Sequence, residues 1–280
     1  MTSTVEPGLY IVATPIGNLG DITLRATEIL RGVACIACED SRVTAKLLRH
    51  IGADAPMLRY HDHSTAKDRE QLVTRAQREA VALVSDAGTP MISDPGYKLV
   101  RDARAAGVNI TTLPGASAAI AALTLAGLPT DRFLFGGFLP PKAQARLRAL
   151  EELGTVRATL VFYESGPRLV AALEAIHALW PLRELSVVRE ISKRFEEARN
   201  GRAAELATHY RDHAAKGEIV LVIAPPVAEQ AGIDDTEVTN ALVDALAAMP
   251  VSKAASSIAR RFGVDRKALY QKALDIKAGG

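Results

Sequence analysis

The stretch ALVSDAGTPMISDPGYKLV, Ala82 to Val100, decides the fold. A run of small apolar residues stops at Ser85-Asp86, and a helical pattern restarts at Gly96-Tyr97. Between them, Asp86 to Gly96 hold two Gly, two Pro and two Asp. A buried strand followed by a tight turn and an amphipathic helix is the unit of a parallel sheet, and open parallel sheets bind ligands beyond the carboxyl ends of their strands. Gly88 and Gly96 let a ligand approach the backbone, and Pro90 and Pro95 limit the loop's freedom. Asp86 and Asp94, with Ala87, Thr89 and Pro90 between them, suit a cationic or polyhydroxyl ligand.

The pattern extends in both directions. LYIVAT (Leu9–Thr14), VACIAC, MLRY, VALVSD and NITTLP read as strands. TLRATEILRG, SRVTAKLLRHIG (with a Ser41 N-cap), STAKDREQLVTRAQRE, GYKLVRDARAAG and SAAIAALTLAG read as the helices between them. This predicts a largely parallel sheet with helices on both faces over 1–127. LPTDR (Leu128–Arg132) reads as a linker into a second α/β domain, 128–225, whose strands are FLFGGFLP, RATLVFYES, ELSVVREIS and GEIVLVIAP. KRFEEARNG reads as a charged stretch between elements. A helical tail over 237–280 follows a proline-led linker and resembles a helix-turn-helix, with Ser252 and Asp265 as N-caps and Ala255, Ile258, Ala259, Val264 and Leu269 facing inward.

The chain has 280 residues, 48% of them hydrophobic, with a formal net charge of +2. Basic charge is concentrated in the tail: Lys253, Arg260, Arg261, Arg266, Lys267, Lys272 and Lys277 stand against Asp265 and Asp275 there. No apolar run is long enough to span a bilayer and the N-terminus lacks a signal pattern, so a cytoplasmic location is expected. Cys35 and Cys38 form a C-x-x-C, but inside a buried-strand pattern; core thiols are expected rather than redox chemistry. His61 and His63 flank Asp62 without a third nearby ligand, and no metal site is expected.

Two further turns share the ligand-binding style. TPIGNLGD places Pro15, Gly17 and Gly20 at the offsets of a dinucleotide fingerprint, with Glu39 about 20 residues on, but proline at the first position cannot make the fingerprint's opening turn. TLPGASAAI sets Pro114-Gly115 before Ala116 and Ser117 at a helix start, leaving room for a flat group. In the second domain, FYESGPR ends a strand with Tyr163 and Glu164, and VVREISKRFEE places Arg189, Glu190, Lys193 and Arg194 beyond another strand end, as a solvated face or a phosphate grip.

Together LYIVATPIGNLGDITLRATEIL, CEDSRVTAKLL, SDAGTPMISDPG, LPGASA, FLFGGFLP, FYESGPR and VVRE through FEE resemble the bacterial 16S ribosomal RNA cytidine 2′-O-methyltransferases of the tetrapyrrole-methylase-like superfamily, from Leu9 to about Pro225. Where the tetrapyrrole branch tends to carry G-x-G-P-G-D and G-D-P turns, this chain has T-P-I-G-N-L-G-D and S-D-A-G-T-P. The resemblance implies S-adenosyl-L-methionine as cofactor in a cleft between two α/β domains, a homodimer, and nucleotide C1402 of 16S rRNA, free or in the 30S subunit, as target. It maps cofactor contacts onto Asp86, Ala87, Gly88, Pro114, Gly115, Ser117, Tyr163 and Glu164, and turns Pro15–Asp21 toward the acceptor.

Methyl transfer disperses the sulfonium's positive charge, so backbone carbonyls and small residues around sulfur are expected in place of a carboxylate. A ribose hydroxyl needs positioning and a proton acceptor; Glu39, Asp40, Glu164 and Glu190 stand at strand ends for that role. Asn18, Arg42, Arg189 and Lys193 are the expected RNA contacts near the cleft, and Lys253, Arg260, Arg261, Arg266 and Lys267 those of the tail. The competing readings are a methylase of a small tetrapyrrole and a ligand-sensing DNA-binding regulator. The tail helix DRKALYQKAL offers few amide side chains for base edges, which counts against the regulator.

Overall fold

The structure, a computed structural model, describes residues 5–226, 235–262 and 266–279, with side chains for 5–226, 238–259 and 266–277. The chain divides into two compact units, 1–225 and 226–280.

In the first unit five strands, β1 (Gly8–Val12), β2 (Cys35–Cys38), β3 (Met57–Arg59), β4 (Ala80–Val84) and β5 (Ile110–Leu113), form one sheet in the order β3-β2-β4-β1-β5, with every pairing parallel. Four helices, α1 (Leu24–Gly32), α2 (Ser41–Ile51), α3 (Ala66–Ala76) and α4 (Tyr97–Ala105), cover it. Leu72, Val73, Leu99 and Ala103 pack on the face of Leu9, Ile11 and Leu83. Leu30, Leu47, Leu48 and Ile51 pack on the face of Val12, Ile36 and Val84. Both faces being covered, β2 and β4 are buried at every residue, which is why they read as continuous apolar runs. Cys35 and Cys38 are inside this core, and burial pushes both thiols up.

The cap of α2 stands one residue before the expected one. Asp40, not Ser41, is the N-cap, accepting the Arg42 N–H at 2.8 Å. α3 is capped by Thr65, in a reciprocal pair with Asp68.

The second sheet combines β6 (Phe133–Phe138), β7 (Thr159–Ser165), β8 (Glu184–Arg189), β9 (Glu197–Arg202) and β10 (Glu218–Ile223) in the order β6-β7-β10-β8-β9. Only β6 and β7 pair in parallel; the other pairs are antiparallel. The stretch expected as a charged connection, KRFEEARNG, therefore contributes most of an edge strand, β9. Its ladder to β8 is continuous although its side chains are largely exposed. One face carries α6 (Ala143–Leu153), α7 (Gly166–Leu179) and α8 (Ala203–Asp212), through Leu150, Leu173, Ile176 and Leu206 on Leu160, Phe162 and Leu221. The other face carries α5 (Ala118–Ala126), whose Ala119, Ala122, Leu123 and Ala126 seat on Val161, Val188, Val220 and Val222. So α5 leaves the edge strand of the first sheet and packs on the second, and the small residues of its buried stripe allow the close approach.

The second unit holds α9 (Asp235–Ala248), α10 (Val251–Phe262) and α11 (Arg266–Gly279) around a core of Val238, Leu242, Ala254, Ala255, Ile258, Ala259, Leu269 and Ala273. Ser252 does not cap α10: the helix starts at Val251, and the Pro250 carbonyl accepts the N–H groups of Lys253 and Ala254. Val264, expected to face inward, and Asp265, expected as an N-cap, lie outside the described residues.

Candidate functional site

The strand order sets the site. Chain connections leave β1 toward β2 on one side and β4 toward β5 on the other, so a crevice opens beyond the adjacent carboxyl ends of β1 and β4. The loops there are stitched together. Thr14 and Gly88 exchange backbone hydrogen bonds at 2.8 and 3.0 Å. The buried Thr14 hydroxyl donates to the Ser85 carbonyl at 3.1 Å, and Thr89 Oγ1 donates to the Ala116 carbonyl at 3.1 Å. Gly88 sits at φ 81°, a conformation that disfavours a side chain. Met91 and Ser93 also take positive φ, 72° and 66°, so the loop holds two non-glycine residues in a costly conformation.

The cleft measures about 250 Å³. On the side of the first sheet it is lined by Ile16, Glu39, Asp86 to Thr89, Asp94 and Ser117; on the side of the second by Phe138, Tyr163, Glu190, Lys193 and Glu218. The first turn also meets the loop after β8. A Cβ on Gly17 would lie 2.7 Å from Lys193 Cγ and 2.8 Å from the Ile191 carbonyl, and the Ser192 hydroxyl donates to Asp21. Glu190 and Ser192 hold positive φ values of 52° and 66°, a second strained loop facing the first.

Electrostatically the cleft is acidic. Asp86 Oδ1 accepts the Asp40 N–H at 3.0 Å. Burial, reinforced by the charge of Asp86, raises the Glu39 carboxyl. Burial, reinforced by Glu39, pushes Asp94 up to about 6. Lys193 Nζ lies 2.9 Å from Glu190 Oε1. Carboxylates line the cleft together with the small residues Ala87, Gly88, Ser117 and Ala118. With Asp94 pushed up to about 6, the summed negative charge of these carboxylates falls as the pH drops through 6.

Most expected cofactor contacts converge here. Asp86, Ala87, Gly88, Thr89, Asp94, Ser117 and Tyr163 line the cleft. Gly115 and Ala116 line an adjoining surface groove. Pro90 is buried and Pro114 is exposed, and neither is a lining residue of the cleft.

Glu164 is a correction. Successive residues of a strand face opposite ways, and Tyr163 takes the cleft side. Glu164 turns into the opposite core, fully buried, with Oε1 accepting the Ser165 N–H at 2.9 Å and paired with Arg168 at 3.1 Å. Asp40 is another. It caps α2 and binds the Arg42 guanidinium at 2.6 Å, which holds its carboxyl well below the usual range, and it does not line the cleft. Arg42 is correspondingly tied, though its side chain is 87% exposed.

Of the remaining RNA candidates, Asn18 spends its side chain on the Gly20 N–H at 3.0 Å, and Arg189 pairs with Glu197 across the β8–β9 ladder at 2.6 Å. Lys193 is in the cleft. In the tail Lys253, Arg266 and Lys267 are exposed, the last two beside Tyr270 in a surface groove. Arg260 and Arg261 fall on α10, and their side chains lie outside the described residues. No cluster of three or more metal-ligating side chains occurs among the described residues, His61 and His63 included. Sequence reasoning missed Glu218, whose place in the cleft follows from an antiparallel pairing that no local pattern announces.

Residues 8–207 match the family model of the tetrapyrrole (corrin/porphyrin) methylases, and residues 232–277 match that of the RsmI C-terminal HTH domain. The chain is 57% identical to a ribosomal RNA small subunit methyltransferase I of Erythrobacter litoralis, over 98% of its own length and 96% of the relative's. It is 46% identical to the protein of that name from Mesorhizobium japonicum (98% and 93% covered) and 44% identical to that from Escherichia coli O157:H7 (95% and 94%). Among solved structures, a diphthine synthase aligns with a TM-score of 0.61 at 17% identity, covering 77% of this chain and 89% of that one. A uroporphyrin-III C-methyltransferase from Thermus thermophilus, complexed with S-adenosyl homocysteine, aligns with a TM-score of 0.54 at 22% identity, covering 78% and 97%. These likenesses establish the fold.

Proposed function

The chain belongs to the ribosomal RNA small subunit methyltransferase I family of the tetrapyrrole methylases, and from that membership we propose that it methylates the ribose 2′-hydroxyl of cytidine C1402 in 16S rRNA, using S-adenosylmethionine. The observation that carries the proposal is the cleft in which Asp86 to Thr89 and Asp94 of the loop after β4, with Ser117 before α5, face Tyr163 of β7 and Glu190 just after β8.

The residues fit the cofactor. Three carboxylates of the first-sheet side, Glu39, Asp86 and Asp94, suit ribose hydroxyls and a cation, and Ala87, Gly88, Ser117 and Ala118 leave room for a planar group. When bound, S-adenosylmethionine supplies an electrophilic methyl group on a sulfonium. Asp86 and the Ala87-Gly88 backbone hold its polar ends, and Tyr163 closes the wall opposite.

Glu190 is the proton acceptor in this proposal. It stands in the cleft on a strained backbone, with Lys193 fixing its carboxylate, beside the first turn that faces the RNA. Glu39, beside Asp86 on the cofactor side, shapes the charge of the cleft instead. The basic tail grips phosphates through Lys253, Arg260, Arg261, Arg266 and Lys267. The 30S subunit as substrate, a homodimer and a cytoplasmic location complete the proposal. Among the described residues no helix is long and apolar enough to cross a membrane.

The test is transfer of a radiolabelled methyl group to small ribosomal subunits, with uroporphyrinogen and duplex DNA as controls, followed by mapping of the modified nucleotide. Label on a ribose of 16S rRNA at C1402 is expected. Label on the tetrapyrrole, or binding to DNA without transfer, overturns the proposal.

A further inference from the structure

β6 is not a regular strand. Leu134 packs on the core beneath the second sheet, and Phe135 packs on the cleft-side cluster with Tyr163, as strict alternation requires. Gly136 returns to the core side: a Cβ there would lie 2.3 Å from the Phe162 ring. Continued alternation would send Phe138 the same way, under the sheet. It does not go there. The register with β7 shifts between Phe135 and Phe138, and Gly137 takes φ 66°, so Phe138 stands opposite Tyr163 on the cleft side. Such a bulge re-aims a side chain at the expense of ladder regularity.

The re-aimed ring ends an aromatic ladder. Phe135 and Tyr163 meet edge-on with centroids 4.8 Å apart, and Tyr163 and Phe138 meet edge-on at 5.5 Å. Tyr163 packs on the cluster that Ala119, Ala122 and Leu123 of α5 form with the second sheet, so the ladder is braced against α5. Phe138 remains 50% exposed and lines the cleft with Glu190 and Asp86. The exposed phenyl ring offers the cleft a flat apolar face, suited to stacking on the face of a base.

We propose that Phe138 is a stacking platform for the base of a single-stranded or extruded RNA nucleotide whose ribose is presented to Glu190. This rests on the RNA methyltransferase function proposed above and names how its substrate is held. Single-stranded RNA is recognised by aromatic rings that receive unstacked bases.

The experiment compares wild type, Phe138→Ala and Phe138→Trp. Three quantities are measured: methyl transfer to small ribosomal subunits, S-adenosylmethionine affinity by calorimetry, and fluorescence of an RNA oligonucleotide carrying pyrrolocytidine at the target position. Phe138→Ala is expected to lose roughly ten- to hundredfold in kcat/KM for the RNA, as removal of one base stack predicts. Its cofactor affinity stays within about twofold of wild type, and it leaves the pyrrolocytidine bright where wild type quenches it. Phe138→Trp restores most of the activity and the quenching. Wild-type transfer and quenching unchanged in Phe138→Ala overturn the platform alone. A matching fall in cofactor affinity also overturns it, by assigning the ring to the cofactor. Failure of wild type to methylate the subunit at all overturns the proposed function and the platform with it.

Discussion

The Asp40 backbone N–H donates to Asp86 Oδ1 at 3.0 Å, so the cap of α2 and the ligand loop after β4 are one hydrogen-bonded assembly. Asp86→Ala removes both the proposed cofactor contact and the acceptor of that N–H. It is expected to weaken S-adenosylmethionine binding by at least tenfold and to lower stability by about 1 kcal/mol. Asp86→Asn keeps an acceptor oxygen and is expected to recover the stability while leaving binding weak. Calorimetric titration and denaturant unfolding of the pair separate the two effects, and unchanged cofactor affinity in Asp86→Ala would remove the loop from the site.

Glu190→Gln keeps the shape of the side chain and removes its basicity. Turnover is expected to fall roughly 10²–10⁴-fold with cofactor affinity nearly unchanged. Single-turnover methyl transfer set beside a binding isotherm measures the split, and equal losses in both would reassign Glu190 to binding.

Asp94 ionises at about 6, above the ordinary carboxyl range, because burial and the neighbouring Glu39 disfavour its charge. The cleft therefore gains negative charge as pH rises through 6 and loses it below. S-adenosylmethionine carries a sulfonium that S-adenosylhomocysteine lacks, and the two share every other charge. Affinity for the first relative to the second is expected to rise roughly two- to fivefold between pH 5 and 8. Asp94→Asn is expected to flatten that rise; a ratio that stays constant in wild type would place the sulfonium away from Asp94.

Removal of residues 235–280 takes away a unit with its own core and a net charge of +2, the whole of the chain's formal surplus. RNA affinity is expected to fall, and the salt dependence of what remains to flatten by about 0.7 log units per lost phosphate contact. Cofactor titration of the truncated chain should match the full chain. Equal RNA affinity at low and high salt in both forms would retire the clamp.

Much of this molecule is legible along the chain because local patterns coincide with buried surfaces. β2 and β4 are apolar throughout since helices cover both faces, and Cys35 and Cys38 read as core for the same reason. The glycines and prolines of Asp86–Gly96 mark a turn whose backbone demands are local, and the loop does hold positive φ at Gly88 and Gly96. β9 escaped notice because an exposed edge strand has no hydrophobic alternation; its order comes from the β8 ladder.

The sequence by itself determined the two sheets' strand-turn-helix units, the tail's helices and the loops that line the cleft, since each depends on residues close together in the chain. Tertiary structure decided which carboxylates face the cleft. Parity turns Tyr163 toward it and Glu164 away, a capping bond withdraws Asp40, an antiparallel partner brings in Glu218, and a two-glycine bulge swings Phe138 outward. The reason is physical: the direction of a side chain depends on register and on what its backbone is hydrogen-bonded to, and both are set by segments distant in sequence.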